Sequence, residues 1–217
     1  MEKIRIAIYG AGGYGRELAW LIKESNRPEK QYEYIGFIDD NPDRVQQIDK
    51  SPVFTLEHVV RTFPNARVIV AVGNANVREQ LAKKVLEAGL IFETFVHPSV
   101  IRSSSIELGV GSTICAGCIL TTNIVIGQHV AVLFHAIIGH DDIIGDYSTV
   151  GPGVCITGSV IIGKRVFIGA GSVIINGTAT KPIYIGDDTV IGAGSCVIRS
   201  IPSRSQVFGN PARPIPK

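Results

Sequence analysis

The sequence predicts two domains of different kinds: a small α/β domain over residues 1–95, then an all-β parallel β-helix over residues 96–217. Three observations carry that division. Residues 1–95 alternate short apolar runs with helical periodicity, the pattern of a parallel sheet covered by helices. From Leu108 to Ile174, twelve aliphatic residues recur at an unbroken spacing of six. That period fits neither a 3.6-residue helix nor a two-residue strand alternation; it fits a chain that turns a corner every six residues. Between the two patterns, His97-Pro98 marks the change.

In the first domain, residues 3–9 form an apolar strand ending at Gly10, and residues 14–24 carry helical periodicity. Residues 34–38 make a second strand, which ends at Asp39 and Asp40. The polar stretch 41–50 reads as a loop. Thr55 can accept an amide proton of the first turn and so caps a short helix through Val60. Residues 67–72 form a third strand ending at Gly73, residues 77–88 a helix, and residues 91–96 a last strand.

In the second domain the inward anchors run Leu108, Ile114, Leu120, Ile126, Val132, Ile138 and on to Ile174. The position two before each anchor is mostly small or β-branched, as at Ser112, Cys118, Val130 and Ser148. The position after is often glycine, as at Gly109, Gly127 and Gly145. Three six-residue sides close one coil, and stacked coils bury a continuous core. Roughly six coils at about 4.8 Å each make a prism about 29 Å long. The next anchors are Ile185, Ile191 and Val197, so one corner carries a five-residue insertion within residues 176–182. The tail from Phe208 leaves the repeat and is expected to cover the last coil.

Composition bounds the function. A formal net charge of +2 points to neither nucleic acid nor an anionic membrane as partner. No apolar run reaches the length of a membrane span, and the N-terminus lacks a signal-peptide layout, so a cytoplasmic protein is expected. Cys115 and Cys118 form a C-x-x-C, which in principle suits a zinc half-site or a redox pair. There is no second pair, and Cys118 occupies the small slot before Leu120, so packing of the coil is the favoured role.

Two motifs carry chemistry. Gly10-Ala11-Gly12-Gly13-Tyr14-Gly15 reads G-x-G-x-x-G between a strand and a helix, which makes the first domain Rossmann-like. The glycines permit a tight turn and let a phosphate approach the amides of a helix N-terminus. Asp39 ends the second strand, where an acid can bind a ribose hydroxyl. Nucleotide or phosphate recognition is the reading; a glycine turn kept for packing is the alternative. An oxidoreductase is disfavoured, because the domain is half the usual dinucleotide fold and no dehydrogenase substrate domain follows. In the repeat, Gly139-His140-Asp141-Asp142 interrupts the pattern with ionisable residues. His140 falls near a corner, where a neutral imidazole can take a proton and Asp141 can stabilise the imidazolium. A solvated corner histidine is the alternative.

Together with Gly36-Phe37-Ile38-Asp39-Asp40-Asn41, Val72-Gly73-Asn74 and Gly209-Asn210-Pro211-Ala212, these motifs resemble the bacterial sugar-nucleotide N-acetyltransferases of the left-handed β-helix superfamily. Those enzymes act in bacillosamine, perosamine and viosamine synthesis, with sialic acid O-acetyltransferases as near relatives. The resemblance covers essentially the whole chain. It implies a small α/β Rossmann-like N-terminal domain followed by a left-handed parallel β-helix of hexapeptide repeats. It further implies direct transfer of acetyl from acetyl-CoA to the 4-amino group of a UDP-, dTDP- or GDP-linked 4-amino-4,6-dideoxy sugar. A homotrimer with acetyl-CoA between neighbouring β-helices is implied, with no metal. On the matching positions, Gly12, Gly13, Tyr14, Asp39, Asp40 and Gly73 correspond to sugar-nucleotide contacts. His140 corresponds to the catalytic base and Asp141 to the acid that raises its basicity. Ala170 and Ala193 correspond to main-chain contacts with CoA, and Gly158 is assigned to the acetyl-CoA site, where nearby amides could hold the oxyanion. Thr149 departs from the pattern, since some members carry there a histidine that touches acetyl-CoA. Lys181, Arg199, Arg204 and Arg213 are candidates for the CoA phosphates. Sialic acid O-acetylation and a non-catalytic trimeric sugar-nucleotide-binding protein are the alternative functions.

His129, His135 and His140 also invite a metal reading, since γ-class carbonic anhydrases place three zinc histidines on a β-helix, two of them five apart. His135 and His140 share that spacing, but His129 is too close to be the third ligand and that family lacks a glycine-loop domain. No metal is expected.

Overall fold

The computed structural model describes residues 3–25, 31–41 and 47–215, in two compact units, Met1–His97 and Pro98–Lys217. The first unit runs β1 (Ile4–Tyr9), α1 (Gly13–Ser25), β2 (Tyr32–Ile38), β3 (Gln47–Ile48), β4 (Ser51–Phe54), α2 (Leu56–Thr62), β5 (Arg67–Val70), α3 (Ala75–Glu87) and β6 (Ile91–Phe92). The sheet order is β3-β4-β2-β1-β5-β6, and only β3 runs antiparallel to its neighbour. Ile6, Ala7, Ile8 and Tyr9 are all buried, as a central strand covered on both faces requires. α1 buries Leu18, Ala19, Leu21 and Ile22, one stripe of a 3.6-residue period. Thr55 caps α2 by accepting the His58 amide at 3.2 Å, and Asn74 caps α3 by accepting that of Val77 at 3.1 Å. The chain leaves β1 towards β2 on one side, and β5 lies on the other. Their carboxyl ends therefore form the crevice where open α/β sheets take ligands.

Two sequence expectations change. The stretch 41–50 is not all loop: Gln47–Ile48 and Ser51–Phe54 pair as a hairpin through Asp49 and Lys50, whose φ values are 48° and 61°. A two-residue turn with both positions left-handed matches strand twist. Asp-Lys lacks the glycine that usually announces it. The rest of that loop, residues 42–46, lies outside the described residues. The last strand, expected over residues 91–96, is two short strands, Ile91–Phe92 and Phe95–Val96. Between them Glu93 turns inward to pair with Arg67 at 2.8 Å.

The second unit is a parallel β-helix. Its three flat sides are sheets in which each residue pairs with the one eighteen positions on: Ala131 with Thr149, Ile137 with Cys155, Ile143 with Ile161. Across the insertion the step becomes twenty-three, as Val160 pairs with Ile183. The anchors Ile114, Leu120, Ile126, Val132, Ile138 and Ile144 are buried. Corner residues stack in columns with left-handed backbone. One column holds Gly111, His129, Tyr147, Arg165, Asp188 and Arg204; another holds Gly117, His135, Gly153, Gly171 and Gly194; a third holds Asn123, Asp141 and Ser159. His129 and His135 sit over the glycine of the preceding coil, where an added Cβ would lie 2.4 and 2.3 Å from the ring. His129, His135 and His140 thus belong to three different edges of the prism.

The slot two before each anchor follows a rule. Ser112 donates to the Gly127 carbonyl at 2.7 Å and accepts the Val130 amide at 2.9 Å. Ser148 repeats both bonds with Gly163 and Val166. Cys118 fills the slot of its own coil and points its thiol at the Leu133 carbonyl. The tail strand Gln206–Phe208 pairs with Val190–Ile191 and folds back onto Arg213–Pro214. Among the described residues no helix is long and apolar enough to cross a membrane.

Candidate active site

The crevice of the first unit separates its glycines by role. An added Cβ at Gly15 would lie 1.9 Å from the Gly10 carbonyl oxygen, and one at Gly10 2.8 Å from that of Ala71. Gly15 serves close packing of α1 on the turn after β1, and Gly10 close packing of that turn on the end of β5. Gly12, Gly13 and Gly73 are exposed, with nothing within 4 Å of an added Cβ. They form the open lip of the crevice, beside half-buried Tyr14. Sequence reasoning missed Arg78. Its side chain is 1% exposed and donates to the carbonyls of Val72 at 2.7 Å and Gly73 at 3.3 Å, pinning the loop after β5. The only signal for it was its place one helical turn after Asn74, on the side of α3 that faces that loop. Asp39 accepts the Asn41 amide at 3.1 Å. Asp40 accepts the Tyr9 hydroxyl on one oxygen and the Leu56 amide at 3.0 Å on the other, with Lys84 at 3.9 Å. Its carboxylate is therefore already engaged within its own domain, at the start of α2.

The second candidate region is an edge of the β-helix. His140 ends the strand Ile137–His140, and Asp141 makes the corner with φ 60°. His140 Nδ1 lies 2.8 Å from Asp141 Oδ2, with the side chains 55% and 53% exposed. The hydrogen bond with His140, and after it that from Asn123, holds the Asp141 carboxyl below its usual range. An ionised carboxylate only accepts, so Nδ1 carries the proton, and in the neutral imidazole that leaves Nε2 as the acceptor. One coil on, Gly158 pairs with His140, and an added Cβ there would lie 2.7 Å from Nε2. Its φ of 132° also favours glycine.

Asp142 corrects the expectation of an interrupted repeat. It does not break the pattern but fills the slot two before Ile144, where it is fully buried. Its Oδ1 accepts the Val160 amide at 2.9 Å, the same bond Ser112 and Ser148 make in their coils. Oδ2 is buried with no hydrogen-bond partner among the described residues. Burial pushes this carboxyl up to about 7, against the amides of Val160 and Gly139.

The other site residues are dispersed. Ala170 and Ala193 stack one coil apart, where the Gly194 amide donates to the Ala170 carbonyl at 2.8 Å. They lie on a different edge from His140. Thr149 is buried in a flat side. Lys181 and Arg199 meet in an open cavity of about 750 Å³ beside Asn176, Thr178 and Tyr184. This cavity lies on the His140 edge, further towards the C-terminal coils. Arg204 stands in the column of His129, and Arg213 belongs to the tail.

The chain matches the family model described as PglD N-terminal domain over residues 5–85. Residues 143–176 match the bacterial transferase hexapeptide model, and residues 182–202 the hexapeptide repeat of succinyl-transferase. It is 33% identical to GDP-perosamine N-acetyltransferase of Escherichia coli O157:H7 over 211 residues, 95% of this chain and 94% of that one. PerB from Caulobacter crescentus, solved with CoA and GDP-perosamine, superposes with a TM-score of 0.84 and 28% identity, covering 97% of each chain. The acetyltransferase domain of PglB from Neisseria gonorrhoeae, solved with acetyl coenzyme A, gives 0.85 and 27%, over 99% of this chain and 100% of that one. The fold is the one these proteins share, an α/β domain followed by a left-handed β-helix.

Proposed function

The chain belongs to the nucleotide-sugar N-acetyltransferase family, as an acetyl-CoA-dependent sugar acetyltransferase, and from that membership we propose that it acetylates the 4-amino group of a nucleotide-linked 4-amino-4,6-dideoxy sugar with His140 as general base. The observation that carries the base assignment is the His140–Asp141 pair, with Nδ1 held by the carboxylate and Nε2 turned towards Gly158.

An amine must shed its proton to attack a thioester. As its nitrogen bonds to the acetyl carbonyl carbon, Nε2 takes the N–H proton, and Asp141 stabilises the imidazolium. The carbonyl becomes a tetrahedral oxyanion, for which backbone amides near Gly158 are the candidate donors. Collapse breaks the C–S bond, and the imidazolium returns its proton to the departing thiolate. No covalent acetyl-enzyme is required. The sugar nucleotide belongs to the β1–β5 crevice, with Gly12, Gly13, Tyr14, Asp39 and Gly73 as its contacts. Asp40 fits a supporting role, since it ties Tyr9 to the start of α2. GDP-perosamine is the first substrate to test, because the relative aligned over 95% of this chain acts on it.

We also infer a homotrimer. In a single chain, Ala170 and Ala193 occupy another edge from His140, so a groove using both needs a second copy. The outward ladder Ile119–Ile137–Cys155–Val173 supports this, being a row of in-register apolar side chains, with Ile119, Ile137 and Val173 exposed in the single chain.

The experiment offers acetyl-CoA with GDP-, UDP- and dTDP-linked 4-amino-4,6-dideoxyhexoses and with sialic acid, following thiol release. Turnover on an amino-sugar nucleotide, lost by about a hundredfold or more in His140→Ala with CoA binding retained, is the expected result. Turnover on sialic acid alone, or full activity in His140→Ala, overturns the reading.

A further inference from the structure

The corner that carries His140 and Asp141 does not end with them. Asp141 has two carboxylate oxygens, and each has its own partner. Oδ2 accepts from His140 at 2.8 Å, and Oδ1 accepts from the side-chain amide of Asn123 at 3.2 Å. Asn123 stands one coil earlier in the same left-handed column, with φ 55° against 60° for Asp141. The coil stacking therefore aims one side chain at the other. Asn123 is in turn held by its neighbours. Its backbone amide donates to Ser105 Oγ at 3.0 Å, its Oδ1 accepts the Thr122 hydroxyl at 3.4 Å, and the Ser105 and Thr122 hydroxyls meet at 2.9 Å. Ser103 extends the chain to Ser105 at 2.9 Å. The Asp141 amide also donates to the Thr122 carbonyl at 3.1 Å.

We propose that Asn123 is a positioning residue for the His140–Asp141 pair: its amide fixes the plane of the Asp141 carboxylate so that Oδ2 stays on Nδ1 and the imidazole presents Nε2. The physical need is plain. Both side chains of the pair are about half exposed, and an exposed carboxylate on a short side chain rotates freely and exchanges its partner for water. A second, fixed donor on the far oxygen removes that freedom. Asparagine suits the post because its side chain offers a donor without charge, and because it tolerates left-handed backbone. Asp142, buried behind the corner, is a further titratable group coupled to both members of the pair. A carboxylate at position 123 would press directly on Asp141.

This inference rests on His140 being the base, and its test separates the two. Asn123→Asp and Asn123→Ala are compared with the unchanged protein and with His140→Ala, using acetyl-CoA and GDP-perosamine. The His140 ring is titrated by NMR in the full chain without substrate. Asn123→Asp adds a negative charge and should move the His140 titration, and the acid limb of kcat/KM, to higher pH. Asn123→Ala frees the carboxylate and should move both to lower pH. Each variant should lose about tenfold in kcat, with KM for both substrates changed by less than about twofold. The displacement in Asn123→Ala is the signature, since that variant adds no charge, and a merely structural role would lower Tm and leave its titration in place. If both variants titrate and turn over like the unchanged protein while His140→Ala is inactive, Asn123 positions nothing. If His140→Ala is fully active, the base assignment fails, and the NMR displacements still decide whether Asn123 sets the pair.

Discussion

Replacing Asp142 by Asn should make the protein more stable at neutral pH and leave it nearly unchanged at low pH. In the unfolded chain this carboxyl ionises near pH ~4, as an ordinary aspartate does. In the fold, burial raises it to about 7. Below the lower value both states hold the proton, and ionisation takes nothing from stability. Between the two, the unfolded chain has released a proton that the folded chain must keep, so stability falls as pH rises. Above the upper value the folded carboxyl ionises too, and the loss levels out. At about 1.36 kcal/mol for each pH unit, the full loss is on the order of 4 kcal/mol. Asn does not titrate, keeps an oxygen for the Val160 amide and is nearly the same size. At about 2–4 °C per kcal/mol for a chain of this length, Asp142→Asn should raise Tm by about 10 °C at pH 8 and by about a degree at pH 4. The assay is differential scanning calorimetry of both proteins from pH 4 to 8.5, at one protein concentration and one scan rate. Three other described carboxyls add stability as pH rises: Asp141, held down by its bond with His140, and two more. At Asp146 burial is outweighed by Lys164 and the Gln128 amide, and at Asp188 the bond from Arg165 prevails, so both are held below the usual range. They act equally in both proteins and cancel in the difference. Parallel Tm curves for the two proteins would refute the reasoning, because they would mean that Asp142 is not the group whose proton the fold retains.

Gly158→Ala should leave circular dichroism near native and cut kcat by about tenfold or more, since its Cβ would meet His140 Nε2 at 2.7 Å; unchanged kcat would show that the imidazole sits elsewhere during turnover. Gly15→Ala should destabilise the first unit through contact with the Gly10 carbonyl, whereas Gly12→Ala should keep Tm within about a degree and act, if anywhere, on nucleotide-sugar affinity; equal Tm losses would erase the distinction between packing and ligand glycines. Ile137→Lys should convert a trimer to monomers by light scattering and abolish turnover, and an active monomer would remove the proposed intersubunit groove.

The period of six makes the β-helix legible, because each coil must aim one aliphatic side chain inward and the sequence repeats that demand without a gap. The insertion is legible for the same reason, as a shift in the spacing after Ile174. The glycine turn and the cap at Thr55 announce elements of the first unit. What the sequence conceals is governed by pairing and docking that no residue pattern announces. The Asp49-Lys50 turn depends on hairpin pairing rather than on a glycine signal. Arg78 becomes a loop anchor only once α3 docks against the Val72 and Gly73 carbonyls. Asp142 reads as one more charge beside His140, yet it stands two before Ile144, the position that Ser112 and Ser148 hold before their own anchors. All three accept the amide eighteen residues on. The pattern of slots was there to be counted, but a carboxylate in an inward slot runs against the rule that charges stay in water.

The split between inward slots and corners also explains why the proposed chemistry needs more than one chain. An inward position is fixed by packing and is closed to substrate. A corner position is open to substrate but also to water, as the half-exposed His140 and Asp141 show. A base in that setting is well solvated even where its neighbours orient it, and a thioester held beside it would be open to attack by water. Excluding water strengthens every charge interaction in such a site and suppresses that side reaction. A flat apolar side such as Ile119–Ile137–Val173 can supply the wall if a second copy packs against it, bringing its own Ala170–Ala193 edge to the groove. In the proposed trimer, then, the six-residue repeat does two jobs: it builds the core of each prism, and it gives each prism the flat sides that close its neighbour's corner.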